Sequence, residues 1–585
     1  NVISYYICAQ DLLGTPNVSC YPTGGESGFT SNPPAVSSPP TTPSTYTIVP
    51  TISGVISVGS GGNYPTLTGA GGLFSILNLN AVTGNITVNI VSNLTEDGTN
   101  ALNQWVEEGG SGYTLTIQPD GTTERLISGI VGNGMIRLNG ADRVTFDGRY
   151  GGAGRYLRFG NLNTSNPTFT FINDAANNTI QYCYIEGSTT STTNGIVFFS
   201  TGSTSGNDNN TITQNIIRDR SDALSVPYNA IYSSGSAGAF KSSLRTEGND
   251  EISREKSTNE KGPLSQENKN ILNDRTPIIT DVAENNTDEL KKTEDVKLFG
   301  PEAEVNNSGN IITNNEIFNF RSYGVYVTAS GNGDGWNISN NSFYNNLGTP
   351  PTVTQTVIYF IPGTNSSGNT ISGNFIGGSS ANCGGTPWLN SGGVAYYGMQ
   401  IAVGSTTASA VSGNTISNIS QTSTGAASFR GIYVTAGSVI ISSNTIGHST
   451  NVNSIQNAGT GLCYGIHTND VLLNIANNEI SNLTTGTGSI FGIYRGYSTT
   501  SIDACLINNN NIHDLTTQSV STNLSTSIAA CGIVYFPNSY MVNDVVSGNT
   551  IYNIHAANNT AVSTASAGML ASNNSAKFTA NKIYD

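Results

Sequence analysis

Few residues in this chain are equipped for chemistry, and the group best placed for it lies between residues 147 and 220. Asp147, Glu186 and Arg218 each follow the last apolar residue of a strand-like segment, at successive steps of a repeat, with Arg149, Asp219 and Arg220 close by. Carboxylates beside guanidinium groups can bind a uronate or serve as acid and base. If stacked coils bring them side by side, Asp147, Glu186, Arg218, Asp219 and Arg220 are the catalytic candidates. The same set reads more simply as a surface row of ion pairs, each worth about 1 kcal/mol or less. The four histidines, His448, His467, His513 and His555, are scattered. His467 and His513 fall at outward repeat positions, where a lone histidine is a surface residue. Asn332-Gly333-Asp334-Gly335 is a single Gly/Asp loop and lacks the repeated ligands of a calcium site. The seven cysteines show no C-x-x-C pair. No metal and no cofactor is therefore expected. Cys8 and Cys20 either pair across a short loop or remain free thiols, and the sequence does not choose.

A more regular feature is aromatic. Tyr232, Tyr326, Tyr359, Tyr433 and Tyr494 occupy the outward position of a recurring strand, interrupted by Gln400 and His467. Such a stripe can stack on sugar rings, with the surrounding Asn, Ser and Thr as hydrogen-bonding partners. The weightier alternative is a ladder that ties neighbouring coils together.

The elements that must position these residues repeat along most of the chain. The unit apolar-x-x-Asn-x-apolar recurs around Asn215, Asn315, Asn341, Asn374, Asn414, Asn444, Asn478, Asn510, Asn549 and Asn581. Ile180-x-x-Cys183-x-Ile185 is the same unit with a small buried cysteine in place of Asn. A second strand opening on glycine precedes most of these units, as in Gly324-Val325-Tyr326 and Gly465-Ile466-His467. The period averages roughly 33 residues. Two strands in fixed order at a bounded period predict a solenoid, specifically a right-handed parallel β-helix in which the asparagines form a structural ladder. Asn suits the sharp turn because it tolerates the left-handed conformation and hydrogen-bonds nearby backbone.

The rest of the sequence divides around this solenoid. Residues 1–32 resemble the end of an Ig-like or fibronectin-type module, and 33–48 form a Pro-rich linker. Residues 49–130 form a starting cap, with Leu73, Ile76 and Leu77 at helical spacing, and the first strands. Coils occupy 131–585, interrupted by a charged insertion at 240–305 whose composition favours disorder. The chain stops just after a repeat unit, which would leave strand edges open, so the natural protein is expected to continue.

The Asn units, the run Gly61-Gly62-Asn63-Tyr64-Pro65-Thr66-Leu67 and the segment Ala141-Asp142-Arg143-Val144-Thr145-Phe146-Asp147-Gly148 resemble the pectin-lyase-like superfamily. More narrowly, they resemble large surface proteins of Bacteroidota exported by the type IX system. The resemblance implies a β-helix over about residues 50–585. It implies no single activity, because that superfamily hosts lyases, hydrolases, esterases and non-enzymes. Its hydrolases carry paired carboxylates near a Gly-His-Gly segment, which this chain lacks.

Only 10% of the residues are charged, and the net charge is −15. A nucleic-acid partner is excluded by the missing basic footprint, and no apolar run is long enough to span a bilayer. Charge poverty favours an extracellular or cell-surface scaffold or adhesin, with a polysaccharide or glycan as partner. The alternative is a polysaccharide lyase or hydrolase working through the charged first coils.

Overall fold

The computed structural model describes residues 2–13, 17–23, 42–222, 225–235, 305–328, 331–451, 454–469, 472–496, 505–521, 528–536, 543–556, 566–572 and 576–584. Each repeat is one coil of a right-handed parallel β-helix with three long sheets. In one coil the chain contributes Ile311–Thr313 to the first sheet, Glu316–Phe318 to the second and Tyr323–Val327 to the third. It then enters the next coil at Asn337–Ser339. The apolar residue of each Asn unit lies over its counterpart in the next coil. Ile212, Ile312, Ile338, Ile371 and Val411 stack in register on the first sheet, and Ile441, Ile475, Ile507, Val546 and Phe578 continue the row. From Ile212 to Val546 these side chains are buried in one continuous core. Every coil thus covers only its neighbours, so stability accumulates coil by coil.

The asparagines hold the corner between the first and second sheets. Asn414 shows the pattern. Its Oδ1 accepts from the Asn374 backbone N–H at 3.0 Å and from Asn374 Nδ2 at 2.9 Å. Its own Nδ2 donates to Ile371 O at 2.9 Å and to Asn444 Oδ1 at 2.9 Å. The row is unbroken from Asn215 to Asn581, and Cys183 N donates to Asn215 Oδ1 at its start. One expectation needs correction: the left-handed residue is the one before each ladder asparagine. Asn314, Asn340, Asn477 and Asn509 have φ between 54° and 57°, and Gln214, Ser443 and Ala580 occupy the same place. The ladder residue itself must point its amide inward, and the sharp bend falls on its exposed neighbour. A second, shorter ladder went unread: Asn178, Asn210 and Asn310 bond in the same way at the preceding corner.

The glycine expected to open the third-sheet strand lies inside it instead, Gly465 being the third residue of Cys463–Thr468, and close approach requires it there. A Cβ on Gly465 would lie 2.6 Å from Gly492 O and 2.6 Å from Ile480 Cγ2. Any larger residue there would push apart two coils and the core isoleucine beneath them.

The start of the solenoid is closed by the helix Leu73–Leu77, which buries Leu73, Phe74 and Leu77. No helix of the described residues is long and apolar enough to cross a membrane. The first residues form two antiparallel pairs, Val2–Tyr5 with Ser44–Thr47 and Ile7–Gln10 with Val18–Tyr21. Val2–Tyr5 and Ile7–Gln10 are separate strands because the chain changes partner at Tyr6. Of the linker expected at 33–48, residues 33–41 lie outside the described residues, and Ser44–Thr47 is a paired strand. Cys8 and Cys20 face each other across the second pair and form a disulfide. The expected insertion at 240–305 lies outside the described residues, Val305 excepted. On either side of it Asn215 and Asn315 meet directly, the backbone N–H of one donating to the other at 2.9 Å.

A truncated ladder leaves buried donors and acceptors without partners, at about 2 kcal/mol or more. The variant Asn414→Ala is expected to unfold at lower urea concentration than the parent. Amide hydrogen exchange should accelerate first in the coils containing Asn374 and Asn444.

Candidate functional site

The charged candidates do not converge on one place. Asp147 ends a first-sheet strand, pairs with Arg149 at 2.7 Å and accepts from Gln181 Nε2 at 3.0 Å. Glu186 and Arg218 lie on the second sheet, in register with each other. Glu186 is nearly buried, held between Arg158 and Arg218, with Arg218 Nη2 at 3.1 Å. Arg158 also pairs with Glu124 at 2.8 Å. Glu124, Arg158, Glu186 and Arg218 thus alternate in sign, and each guanidinium has a carboxylate. Arg218 continues onto the face of Phe318, 5.8 Å away, which stacks on Tyr344 at 4.4 Å. Asp219 is half-buried; burial pushes its carboxyl up, against the hydrogen bond from Asn319 Nδ2 at 2.9 Å. Arg220 turns inward to Gly160 O at 3.0 Å and pairs with Asp222 at 2.6 Å. Asp147 is absent from the Glu186–Arg218 row because the corner after the first sheet intervenes.

The aromatic candidates do converge. On the third sheet Phe198, Tyr232, Tyr326, Tyr359, Gln400, Tyr433, His467 and Tyr494 stand in register in successive coils. Ring centroids are 4.9 Å apart for Tyr232–Tyr326 and 4.8 Å for Tyr326–Tyr359, both edge-on. Tyr323, three residues before Tyr326, stacks beside it at 4.3 Å and widens the row. Tyr326, Tyr359, Tyr433 and Tyr494 are partly exposed and Tyr232 is almost covered. The rings therefore support neighbouring coils and still present an aromatic surface.

Backwards from Phe198 the same register runs to Thr170 and Arg137. Here the surface deepens into a trough of about 400 Å³, with those three side chains among its lining. Asn133, Asn166 and Asn194 line it from the turns that precede the third sheet, Asn139 from the last position of the strand Ile136–Asn139, and Asn173 from the turn that follows its strand. Arg137 Nη2 donates to Gly98 O at 2.7 Å, while its buried Nε has no partner. The sequence reading missed this trough because the first coils lack the Gly-led strand motif that revealed the stripe. The available signal was the register of Arg137 and Phe198 with the later tyrosines.

Farther along, Arg430 is ringed by Tyr397, Tyr433 and Tyr464, its guanidinium carbon 4.7 to 5.2 Å from their centroids. Its Nε donates to His467 Nδ1 at 2.9 Å and its Nη1 to Tyr397 Oη at 2.7 Å. His467 is therefore not a surface residue as expected. Burial, aided by the Arg430 charge, pushes it down to about 3, so it accepts as a neutral ring. His513 departs from the same expectation in the opposite sense. Its Nε2 lies 2.6 Å from Glu479 Oε1 and its Nδ1 2.5 Å from Asp514 Oδ2, and its ring stacks on Tyr552 at 4.5 Å. Burial opposes the charged form, but the two carboxylates outweigh it and raise its pKa. Asp334, from the loop considered for calcium, accepts instead from the Ser367 backbone N–H and its hydroxyl.

No family model matches the sequence, and no curated protein matches it. Among solved structures the chain is similar to the Agl-KA catalytic domain, at 10% identity and a TM-score of 0.26, over 86% of this chain and 63% of the other. It spans less than two-thirds of that structure. It is also similar to the PL6 family polysaccharide lyase Pedsa3628 from Pseudopedobacter saltans, at 10% identity and a TM-score of 0.25, over 86% of this chain and 89% of the other. These are likenesses of fold.

The His513 clamp gives a pH dependence with a definite sign. A histidine whose pKa is raised on folding stabilises fully below its unfolded value, about 6.5, and loses that contribution as pH rises through the higher folded value. The thermal midpoint of the terminal coils is therefore expected to fall between neutral and alkaline pH. His513→Gln should flatten that part of the profile, as followed by circular dichroism at several pH values.

Proposed function

We propose that this β-helix is a non-enzymatic extracellular or cell-surface protein that binds a carbohydrate polymer lengthwise along its third sheet. The observation that carries the reading is one uninterrupted outward row, in which Arg137, Thr170 and Phe198 of the trough continue into Tyr232, Tyr326 and Tyr359. A sugar ring laid on such a surface stacks its C–H face on the rings, and amides along the trough exchange hydrogen bonds with its hydroxyls. The parallel register supplies an acceptor surface that repeats once per coil, about every 4.8 Å. A rigid rod with such a face suits a scaffold or adhesin.

A second reading, a polysaccharide lyase or hydrolase, rests on the Arg158–Glu186–Arg218 cluster. There a nearly buried carboxylate lies between two guanidinium groups on an outer face. It is the weaker reading because Glu124 and Glu186 already neutralise the two arginines, which leaves little charge for an anionic intermediate.

Glycan-array and titration measurements separate the two. Tyr326→Ala is expected to weaken binding about three- to tenfold without loss of fold, and no unsaturated or reducing ends should appear on long incubation. Release of such ends, abolished by Arg218→Ala or Glu186→Gln, would replace the binding reading with the enzymatic one.

A further inference from the structure

Charge on the third sheet is sparse and one-signed. Its described strands contain three arginines, Arg137, Arg430 and Arg495, and no lysine, aspartate or glutamate. Arg495 is buried against Asp544 and takes no part in the surface. A further cation, Arg321, is exposed two residues before Tyr323, with its guanidinium 6.0 Å from the Tyr228 ring. Among the described residues, Arg137, Arg321 and Arg430 have no carboxylate within ion-pair distance. Away from this face Arg125, Arg143, Arg149, Arg158, Arg218 and Arg220 each have one, and Arg155, over the Tyr184 ring, does not.

Arg137 spends Nη2 on Gly98 O, and its unpartnered Nε is buried. Arg430 uses Nε and Nη1 on His467 and Tyr397, which leaves its other terminal nitrogen for a ligand. Register spaces them. Arg137 is four coil steps from the coil of Arg321 and Tyr326, and Arg430 is three steps beyond it. At the inter-strand spacing these are roughly 19 Å and 14 Å. The floor between them is neutral: Thr170, Phe198, Tyr232, Tyr359 and Gln400.

A polymer with an acid on every sugar would set most of its anions over neutral rings, where they lose water and gain no counter-charge. It would also approach a molecule of net charge −15, which repels it within a Debye length. A wholly neutral polymer would leave three guanidinium groups unused. We propose that the third sheet takes a linear, sparsely acidic polysaccharide, in which neutral sugars lie on the tyrosines and isolated carboxylate or sulfate groups meet Arg137, Arg321 and Arg430. This rests on the reading that the row binds carbohydrate.

The test compares three linear probes on the full chain at low and high salt. They are deacylated gellan, with one glucuronate per repeat, polygalacturonate, with an acid on every sugar, and neutral dextran. Gellan should bind tightest, and its advantage should shrink with salt. The exposed Arg321→Gln, which lies outside the row, should weaken gellan about two- to fivefold and leave dextran unchanged, while Arg137→Gln and Arg430→Gln should each weaken gellan more than dextran. Equal binding of dextran and gellan, or tighter binding of polygalacturonate, overturns the proposal. If the arginine variants change nothing while Tyr326→Ala still weakens every bound polymer, the carbohydrate row stands and its acidic preference falls. If no polymer binds, both fall together.

Discussion

Everything in this molecule depends on the hydrogen bond that passes from one corner asparagine to the next. A parallel solenoid has no hairpins to set its register. Neighbouring strands come from segments about thirty residues apart, and a slip of one residue would turn every core side chain outward. The asparagine corner prevents this. Each amide satisfies a backbone N–H and a carbonyl of adjacent coils as well as its own kind, and it does so in a buried setting where an unmade bond is costly. Once the corner is fixed, the apolar residue on either side can only point into the core. The third sheet inherits its alignment from the same constraint.

That inheritance explains why a continuous aromatic face is possible at all. Tyr232, Tyr326 and Tyr359 come from successive coils at unequal sequence spacing, yet each ring lies within about 5 Å of the next. The edge-on packing contributes to coil cohesion and holds the rings still. On the binding reading proposed above, a ligand that stacks on such rings would lose little ordering entropy.

The sequence made some of this legible and concealed the rest for definite reasons. The Asn units and the Gly-led strands were readable because each combines a fixed residue type with fixed spacing, and both reflect backbone requirements that recur in every coil. The left-handed bend was misplaced by one residue because Asn satisfies both positions on propensity alone, and only the inward amide distinguishes them. The charged candidates were grouped by strand order, and the sequence could not tell that Asp147 precedes a corner while Glu186 and Arg218 follow one. His467 and His513 looked alike as outward histidines. Their opposite electrostatics come from Arg430 in one case and from Glu479 and Asp514 in the other, partners set by stacking. The trough at Arg137 was hidden because its walls are built from loop asparagines that obey no repeat.

The spacing along the ladder carries a last consequence. Successive asparagines are separated by as few as 26 residues, between Asn315 and Asn341, and by 100 between Asn215 and Asn315, yet the contact made is the same. The rod's geometry is thus indifferent to how much polypeptide leaves and returns between coils. Such a scaffold can acquire or exchange whole passages of chain at its turns without re-deriving its interior. Evolution, or a protein engineer grafting a foreign module, is free to lengthen one turn while every other coil keeps its place.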